Sequence, residues 1–286
     1  MSDAADTSPA ADRYAVFGNP VRHSKSPWIH KAFASQCDQA VQYRAVKVAE
    51  GGFADAARGF FDSGGHGLNI TLPFKQDALA FADELSPRAH KAGAANTLVR
   101  RESGEIFGDN TDGIGMIRDM AVNLGWSLGG KSVALLGAGG AARGVLEFLL
   151  REQPSRVLLA NRTVSRAAEL AHHFADLGAV EAGGFDSLQA GQVDLVINAT
   201  SASLAGDLPP LPATLLHERS CCYDMMYAAE PTPFMRWAAQ HAAWAVSDGL
   251  GMLVEQAAES FYIWRGVRPQ TRPVLAELRT LLTEGG

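Results

Sequence analysis

Apolar and polar positions alternate along this chain with two distinct periods. Residues 14–18 (YAVFG), 41–48 (VQYRAVKV) and 66–72 (HGLNITL) are short runs rich in β-branched and aromatic residues, which predicts strands. Between them, residues 27–37 and 52–61 place apolar side chains at helical spacing. A third helical stretch follows Lys75. TLVRR, a Ser103-Gly104 turn and EIFG then predict a hairpin. Strands alternating with helices imply a largely parallel sheet, so residues 13–111 read as one α/β unit. The aperiodic opening, residues 1–12, is expected to be a flexible tail.

A polar, turn-rich segment, GDNTDG, ends that unit, and the junction is placed near Asp112. Beyond the helical IGMIRDMAVNLG, residues 132–137 (SVALLG), 156–162 (RVLLANR) and 193–200 (VDLVINAT) read as strands, with helices over 140–151 and 167–177. This βαβαβ order is half of a doubly wound fold. A long helix, MLVEQAAESFYIWRG, follows Gly249, and PVLAELRTLLTEG closes the chain as another.

Composition narrows the function. The 286 residues suggest two domains of about 150, and 47% hydrophobic against 20% charged residues excludes disorder for most of the chain. A net charge of −6 leaves no global positive field for nucleic acid or anionic lipid, so any anion site must be local. No apolar run nears the roughly 20 residues that span a bilayer, and MSDAADTSPAAD is acidic where a signal peptide is basic and then apolar. A soluble, cytoplasmic protein with small-molecule partners is expected, a monomer or homodimer, with neither nucleic acid nor membrane. Cys37, Cys221 and Cys222 form neither a disulfide framework nor a CxxC pair and read as reduced, buried thiols. His172 and His173 would point about 100° apart on a helix, and no metal site is expected.

One local anion site is legible. Gly137-Ala138-Gly139-Gly140-Ala141-Ala142 is a G-x-G-x-x-A turn between a strand and a helix. The first glycine makes the turn, the second lets backbone approach a pyrophosphate, and the helix N-terminus offers free N–H groups. The bland alternative is a tight turn with no ligand. At the end of the next strand, where NAD-binding folds carry an acid for the ribose 2′-hydroxyl, stand Asn161, Arg162 and Thr163, with Arg166 a turn later. Guanidiniums suit a 2′-phosphate, which points to NADP rather than NAD.

In HSKSP, Ser24 and Ser26 lie two residues apart, and Pro27 makes Ser26 a candidate helix N-cap. Capping explains Ser26 but not Ser24, and paired hydroxyls beside a helix start would receive a carboxylate. In NITLPFK, Asn69 and Thr71 share one strand face, at the carboxyl end where open α/β sheets bind ligands. Lys75 follows, a candidate general acid/base or an ordinary surface lysine. Asp112 opens a helix and could be only its N-cap, and Asn96 could be only a turn residue.

Together GNPVRHSKSP, GLNITLPFK, AGAANTL, GDNTDGIG, LLGAGGAARG, ANRT, NATS, YDMMY and GLGMLVEQAA, in order over nearly the whole chain, closely resemble the shikimate dehydrogenase family. The resemblance implies an N-terminal α/β substrate domain (13–111 with 250–286, discontinuous) and a C-terminal Rossmann-like NADP-binding domain (112–249), with the site in the cleft between them. It implies Lys75 as general acid/base paired with Asp112. Ser24, Ser26 and Tyr227 would hold the substrate carboxylate, and Thr71, Asn96, Asp112 and Gln256 the ring hydroxyls. NADP would take the loop Gly137, Ala138, Gly139, Gly140 and Ala141, then Asn161, Arg162, Thr163 and Arg166, with Met225 and Gly249 near the nicotinamide. The implied activity is reversible reduction of 3-dehydroshikimate to shikimate. Two departures stand out: Pro87 replaces a polar or acidic residue common in the family, and Ala202-Ser203 follows NATS where a glycine-rich turn is usual. The alternatives are a quinate/shikimate dehydrogenase using NAD, disfavoured by Arg162, and a non-catalytic NADP-binding protein, disfavoured by the presence of both Lys75 and Asp112.

Overall fold

The computed structural model describes residues 11–188, 193–200, 202, 206–241 and 243–284. Two six-stranded sheets follow one another along the chain. The first holds β1 (Asp12–Gly18), β2 (Val41–Lys47), β3 (Gly65–Ile70), β4 (Glu84–Leu85), β5 (Thr97–Arg100) and β6 (Ile106–Asp109), in the order β2-β1-β3-β5-β6-β4. β1 runs parallel to both β2 and β3. β5 and β6 form the expected hairpin, turned at Gly104, whose φ of +94° suits glycine. Because β5 is antiparallel to β3 as well, the sheet is mixed rather than largely parallel.

Its helices are α1 (Ser26–Gln36), α2 (Phe53–Asp62), α3 (Lys75–Phe81) and α4 (Pro87–Ala92). Phe53 and Phe60 of α2 meet Phe17 edge-on at 6.3 and 5.8 Å, closing an aromatic core on one face. Each such buried ring stabilises the fold by about 1.5–3 kcal/mol.

The second sheet holds β7 (Ser132–Leu136), β8 (Arg156–Ala160), β9 (Val180–Gly183), β10 (Val193–Asn198), β11 (Leu216–Asp224) and β12 (Ala245–Ser247), in the order β12-β11-β10-β7-β8-β9 with every pairing parallel. That is the doubly wound order, and the winding reverses between β7 and β10. Alternation along β7 feeds both faces: Val133 and Leu135 enter one cluster, Ala134 and Leu136 the other. The remaining helices are α5 (Asp112–Arg118), α6 (Gly140–Arg151), α7 (Val164–His173), α8 (Pro233–Gln240), α9 (Leu250–Arg265) and α10 (Thr271–Glu284), with a π-helical turn, Asp119–Asn123, continuing α5.

Although late in sequence, α9 and α10 return to the first sheet. Val254, Phe261, Val274 and Leu278 pack with Ile29 and Phe33 of α1. α5 is seated between the two halves. Gly113 lies against Phe148 and the Gly144 carbonyl of α6, and Gly115 lies so close to Gln256 of α9 that a Cβ there would sit 2.7 Å from the Gln256 Cβ.

Several expectations need correction. Asp12 opens β1 rather than ending a tail: its amide donates to the Ala40 carbonyl at 3.0 Å and its carboxylate pairs with Arg265. Residues 1–10 lie outside the described residues, as does Ser203. β3 stops at Ile70, so Thr71 makes one last ladder bond, to the Phe17 carbonyl at 2.9 Å, from the turn and not from a strand face. Ser26 is the first residue of α1, with Lys25 at the N-cap position, and Asp112 the first of α5, with Thr111 there; neither N-cap side chain bonds the helix start. In each case the preceding residue takes near-helical dihedrals and becomes the boundary. Cys222 is buried, but Cys37 and Cys221 are half-buried; all three are free thiols. Among the described residues no helix is long and apolar enough to cross a membrane.

Candidate active site

Strand direction explains why distant residues meet. β3 and β6 are both antiparallel to β5, hence parallel to each other and to β1. The carboxyl ends of β1, β3 and β6 therefore open on one edge, where ligands of α/β sheets bind. The chain leaving β1 carries Ser24 and Ser26, the chain leaving β3 carries Thr71 and Lys75, and the chain leaving β6 carries Asn110, Thr111 and Asp112. The start of β5 adds Asn96 to the same edge.

There the Lys75 Nζ donates to Asp112 Oδ2 at 2.5 Å, with the two side chains only 25% and 11% exposed. Asn96 Nδ2 donates to the other carboxylate oxygen at 2.8 Å. Ala95 N donates to the Lys75 carbonyl and Asn96 N to the Asp109 carbonyl, so the loop before β5 ties the lysine to the strand that bears the aspartate. Gln256 of α9 reaches this group through Thr111, whose hydroxyl donates to Gln256 Oε1 at 3.4 Å. Ser24 Oγ accepts from Ser26 N at 3.3 Å, which makes Ser24 the hydroxyl that binds the start of α1. Tyr227 packs beside the α1–α9 cluster, where burial and then the nearby Asp248 push its hydroxyl pKa up and keep it protonated. Asn69 is also close by, but its amide is engaged with protein groups on both ends.

One set of residues was not singled out from sequence. Arg88 of α4 grips Asp109 with two bonds of 2.6 Å, and Ser86 adds a third at 2.5 Å. Ser86 also caps α4 through Ala89 N at 3.0 Å, ahead of Pro87 at a first-turn position that suits proline. Arg88, Arg118 and Arg268 then converge on Glu259 of α9 at 3.3, 2.5 and 2.8 Å. Burial raises the Glu259 pKa, but bonds from Arg268 and Arg118 outweigh it and hold the carboxyl below its ordinary range. The available signal was a glutamate on a helix apolar nearly all round, which must be paired to be buried.

The second crevice lies where the winding reverses. Gly137, at φ +100°, turns the chain out of β7, and a Cβ there would press on Ala199 O and Thr200 Cγ2 at 3.2 Å. At Gly139 and Gly140 a Cβ would meet nothing within 4 Å, so the N-terminus of α6 opens onto free space, with no side-chain cap on its N–H groups. Asn161 holds the loop, accepting from Ala138 N at 3.2 Å and donating to the Thr163 carbonyl at 2.8 Å. Arg162, Thr163 and Arg166 are exposed beside it, and among the described residues neither guanidinium forms an ion pair. An open glycine cradle with unpaired cations and no acid at the end of β8 fits a dinucleotide carrying a 2′-phosphate. On the crevice's other side Gly249 approaches Met225 so closely that a Cβ would lie 2.3 Å from the Met225 carbonyl oxygen.

A doubly wound sheet with an open glycine turn, beside an α/β sheet whose ligand edge carries a lysine–aspartate pair, defines a dinucleotide-dependent oxidoreductase of two α/β units. Residues 16–98 match the shikimate dehydrogenase substrate binding domain, 119–205 the shikimate / quinate 5-dehydrogenase family and 249–279 the shikimate 5'-dehydrogenase C-terminal domain. The shikimate dehydrogenase (NADP(+)) of Cellvibrio japonicus (strain Ueda107) is 59% identical over 273 residues, covering 96% of this chain and 99% of the relative. An Ael1 enzyme from Pseudomonas putida superposes with a TM-score of 0.88 at 45% identity, over 94% of this chain and 98% of its own. Shikimate 5-dehydrogenase from Thermus thermophilus, solved in complex with NADP(H) and shikimate, superposes with a TM-score of 0.84 at 34% identity, over 95% and 100% of the two chains. The chain belongs to the shikimate dehydrogenase family.

Proposed function

We propose that this protein catalyses the reversible, NADP-dependent reduction of 3-dehydroshikimate to shikimate, a step of the pathway to chorismate and the aromatic amino acids. The observation that carries the assignment is the 2.5 Å contact between Lys75 and Asp112 at the ligand edge of the first sheet. As the substrate carbonyl is reduced, negative charge grows on its oxygen, and the Lys75 ammonium stabilises that charge and hands over a proton. In the reverse direction the neutral amine takes the proton of the 3-hydroxyl. Asp112 keeps the amine aimed and balances its charge, and Asn96 fixes the carboxylate from behind. Ser24, Ser26 and Tyr227 receive the substrate carboxylate, and Thr71, Asn96, Asp112 and Gln256 the ring hydroxyls.

NADP is held by Gly137, Ala138, Gly139, Gly140 and Ala141, by Asn161, Arg162, Thr163 and Arg166 on the adenosine phosphate side, and by Met225 and Gly249. When bound, the reduced nicotinamide supplies the hydride. Residues 13–111 with 250–286 serve as the substrate domain and 112–249 as the NADP domain, a division supported by the packing of α9 and α10 on α1. We place the protein in the cytoplasm as a monomer or homodimer.

The test follows reduced-nicotinamide absorbance while the purified protein is offered shikimate or quinate, each with NADP or NAD. Turnover with shikimate and NADP alone is expected. Faster turnover with quinate or NAD would transfer the assignment to a quinate/shikimate dehydrogenase, and NADP binding without turnover on either acid would make the protein non-catalytic.

A further inference from the structure

The hydrogen bonds behind the Lys75–Asp112 pair run in one direction. His30, with no exposed surface, stacks on Tyr43 at 4.3 Å and 11°, and burial pushes its pKa down to about 3, so the ring is neutral. Its Nε2 faces Asn69 Oδ1 at 3.1 Å while its Nδ1 has no partner, which places the proton on Nε2. Asn69 Oδ1 therefore accepts from His30 and from the Tyr43 hydroxyl, the latter at 2.8 Å. The Asn69 amide nitrogen faces Ser260 Oγ at 3.0 Å, Thr97 Oγ1 at 3.2 Å and the Asn96 carbonyl at 3.3 Å. A backbone carbonyl only accepts, so this orientation of the amide is fixed.

The Ser260 hydroxyl faces the Gln256 carbonyl at 3.1 Å as well as the Thr97 hydroxyl at 2.8 Å. Thr97 Oγ1 also lies 2.9 Å from Asn96 Oδ1; the amide oxygen can only accept, so the Thr97 proton is directed to Asn96 and Ser260 is the donor between the two hydroxyls. Asn96 Oδ1 also receives Thr111 N at 2.9 Å, which turns its amide nitrogen toward Asp112 Oδ1. A flipped Asn96 would present an oxygen to that carboxylate and repel it.

We propose that Thr97 is a positioning residue for the acid/base pair: its hydroxyl, oriented by Asn69 and His30, locks the Asn96 amide so that Asp112 presents its free oxygen to Lys75. Asn69 then serves this relay through both ends of its amide. The proposal rests on the reading of Lys75 and Asp112 as the catalytic pair. Thr97 has no exposed surface, so it acts only through its neighbours.

Thr97→Val keeps the shape and removes the hydroxyl. Shikimate oxidation by the full chain is measured with each rate divided by the concentration of sites titrated with NADPH, so that loss of folded protein does not enter. Thr97→Val is expected to lower kcat roughly tenfold, the effect of about one hydrogen bond, while KM for shikimate moves by less than about threefold. Thr97→Ser recovers turnover relative to Thr97→Val. His30→Phe, which keeps a stacked ring and removes the Nε2 donor, lowers kcat in the same direction, and it decides the matter if Thr97→Val yields no NADPH-binding sites. A Thr97→Val kcat within about twofold of wild type, a rise in KM alone, or failure of Thr97→Ser to recover turnover would each overturn the relay. Wild-type protein that binds NADPH but does not oxidise shikimate would overturn the functional reading instead.

Discussion

Glu259 gives a prediction whose size follows from its neighbours. Glu259→Gln keeps the volume and removes the charge that Arg88, Arg118 and Arg268 share. Removing one partner of a buried ion pair costs about 3–5 kcal/mol when the other charge is stranded. Here stranding is partial. Arg88 retains both of its bonds to Asp109, while the Arg118 and Arg268 side chains, 29% and 39% exposed, can turn to water. A loss of about 2–3 kcal/mol is therefore expected, or about 4–12 °C in Tm at roughly 2–4 °C per kcal/mol. The assay is thermal unfolding of both proteins across pH. Because the folded carboxyl is held below its unfolded value of about 4.3, its contribution is fully present above that pH and disappears as pH falls through the folded value. The gap between wild type and Glu259→Gln should be widest near neutrality and close on acidification. Equal Tm values at neutral pH, or a gap that widens in acid, would show that the three arginines do not stabilise the fold through this carboxylate.

Other perturbations separate the two crevices. Lys75→Met should lower kcat by about 10²–10⁴-fold with NADPH binding retained; a drop of only a few-fold would remove Lys75 from the proton-transfer role. Arg162→Ala should raise KM for NADP by about tenfold or more, the effect of one charge-assisted bond, and leave KM for NAD unchanged. Equal effects on both cofactors would disprove the phosphate clamp. Gly249→Ala forces a methyl to within 2.3 Å of the Met225 carbonyl oxygen, so Tm should fall by the equivalent of about 1–3 kcal/mol and NADPH titration should weaken. An unchanged affinity would place Met225 and Gly249 away from the cofactor.

Much of this was legible in sequence, for reasons visible in particular elements. β7, the glycine turn and α6 emerge nearly as read, because a buried apolar strand, a glycine pair and an amphipathic helix each leave their own periodic mark. β4, β9 and β12, of two to four residues, are too short to show a period, whereas β5 and β6, of four residues each, are legible through the Ser103-Gly104 turn that joins them. β11 hides its buried half behind the exposed Glu218 and Arg219. The sequence signal of α8 is Thr232 ahead of Pro233, and in the structure the Thr232 hydroxyl caps the helix by accepting from Met235 N. Lys75 and Asp112, 37 positions apart, converge only once β5 is known to lie antiparallel between β3 and β6. The three-arginine contact at Glu259 depends on α9 folding back across the chain, which no local pattern encodes.

The seating of α5 also bears on recombination between relatives. Asp112 opens a helix that touches α6 through Gly113 and α9 through Gly115, so the carboxylate that pairs with Lys75 is indexed to both halves at once. A chimera that exchanges the dinucleotide-binding half with a crossover ahead of Asp112 would import a foreign helix into a seat shaped by the host's Gln256. Crossovers placed after Arg118 and before Leu250 keep Lys75, Asp112 and Gln256 from one parent. The safe seam for grafting thus lies some way inside the second half, on the far side of α5 from the turn where sequence places the boundary.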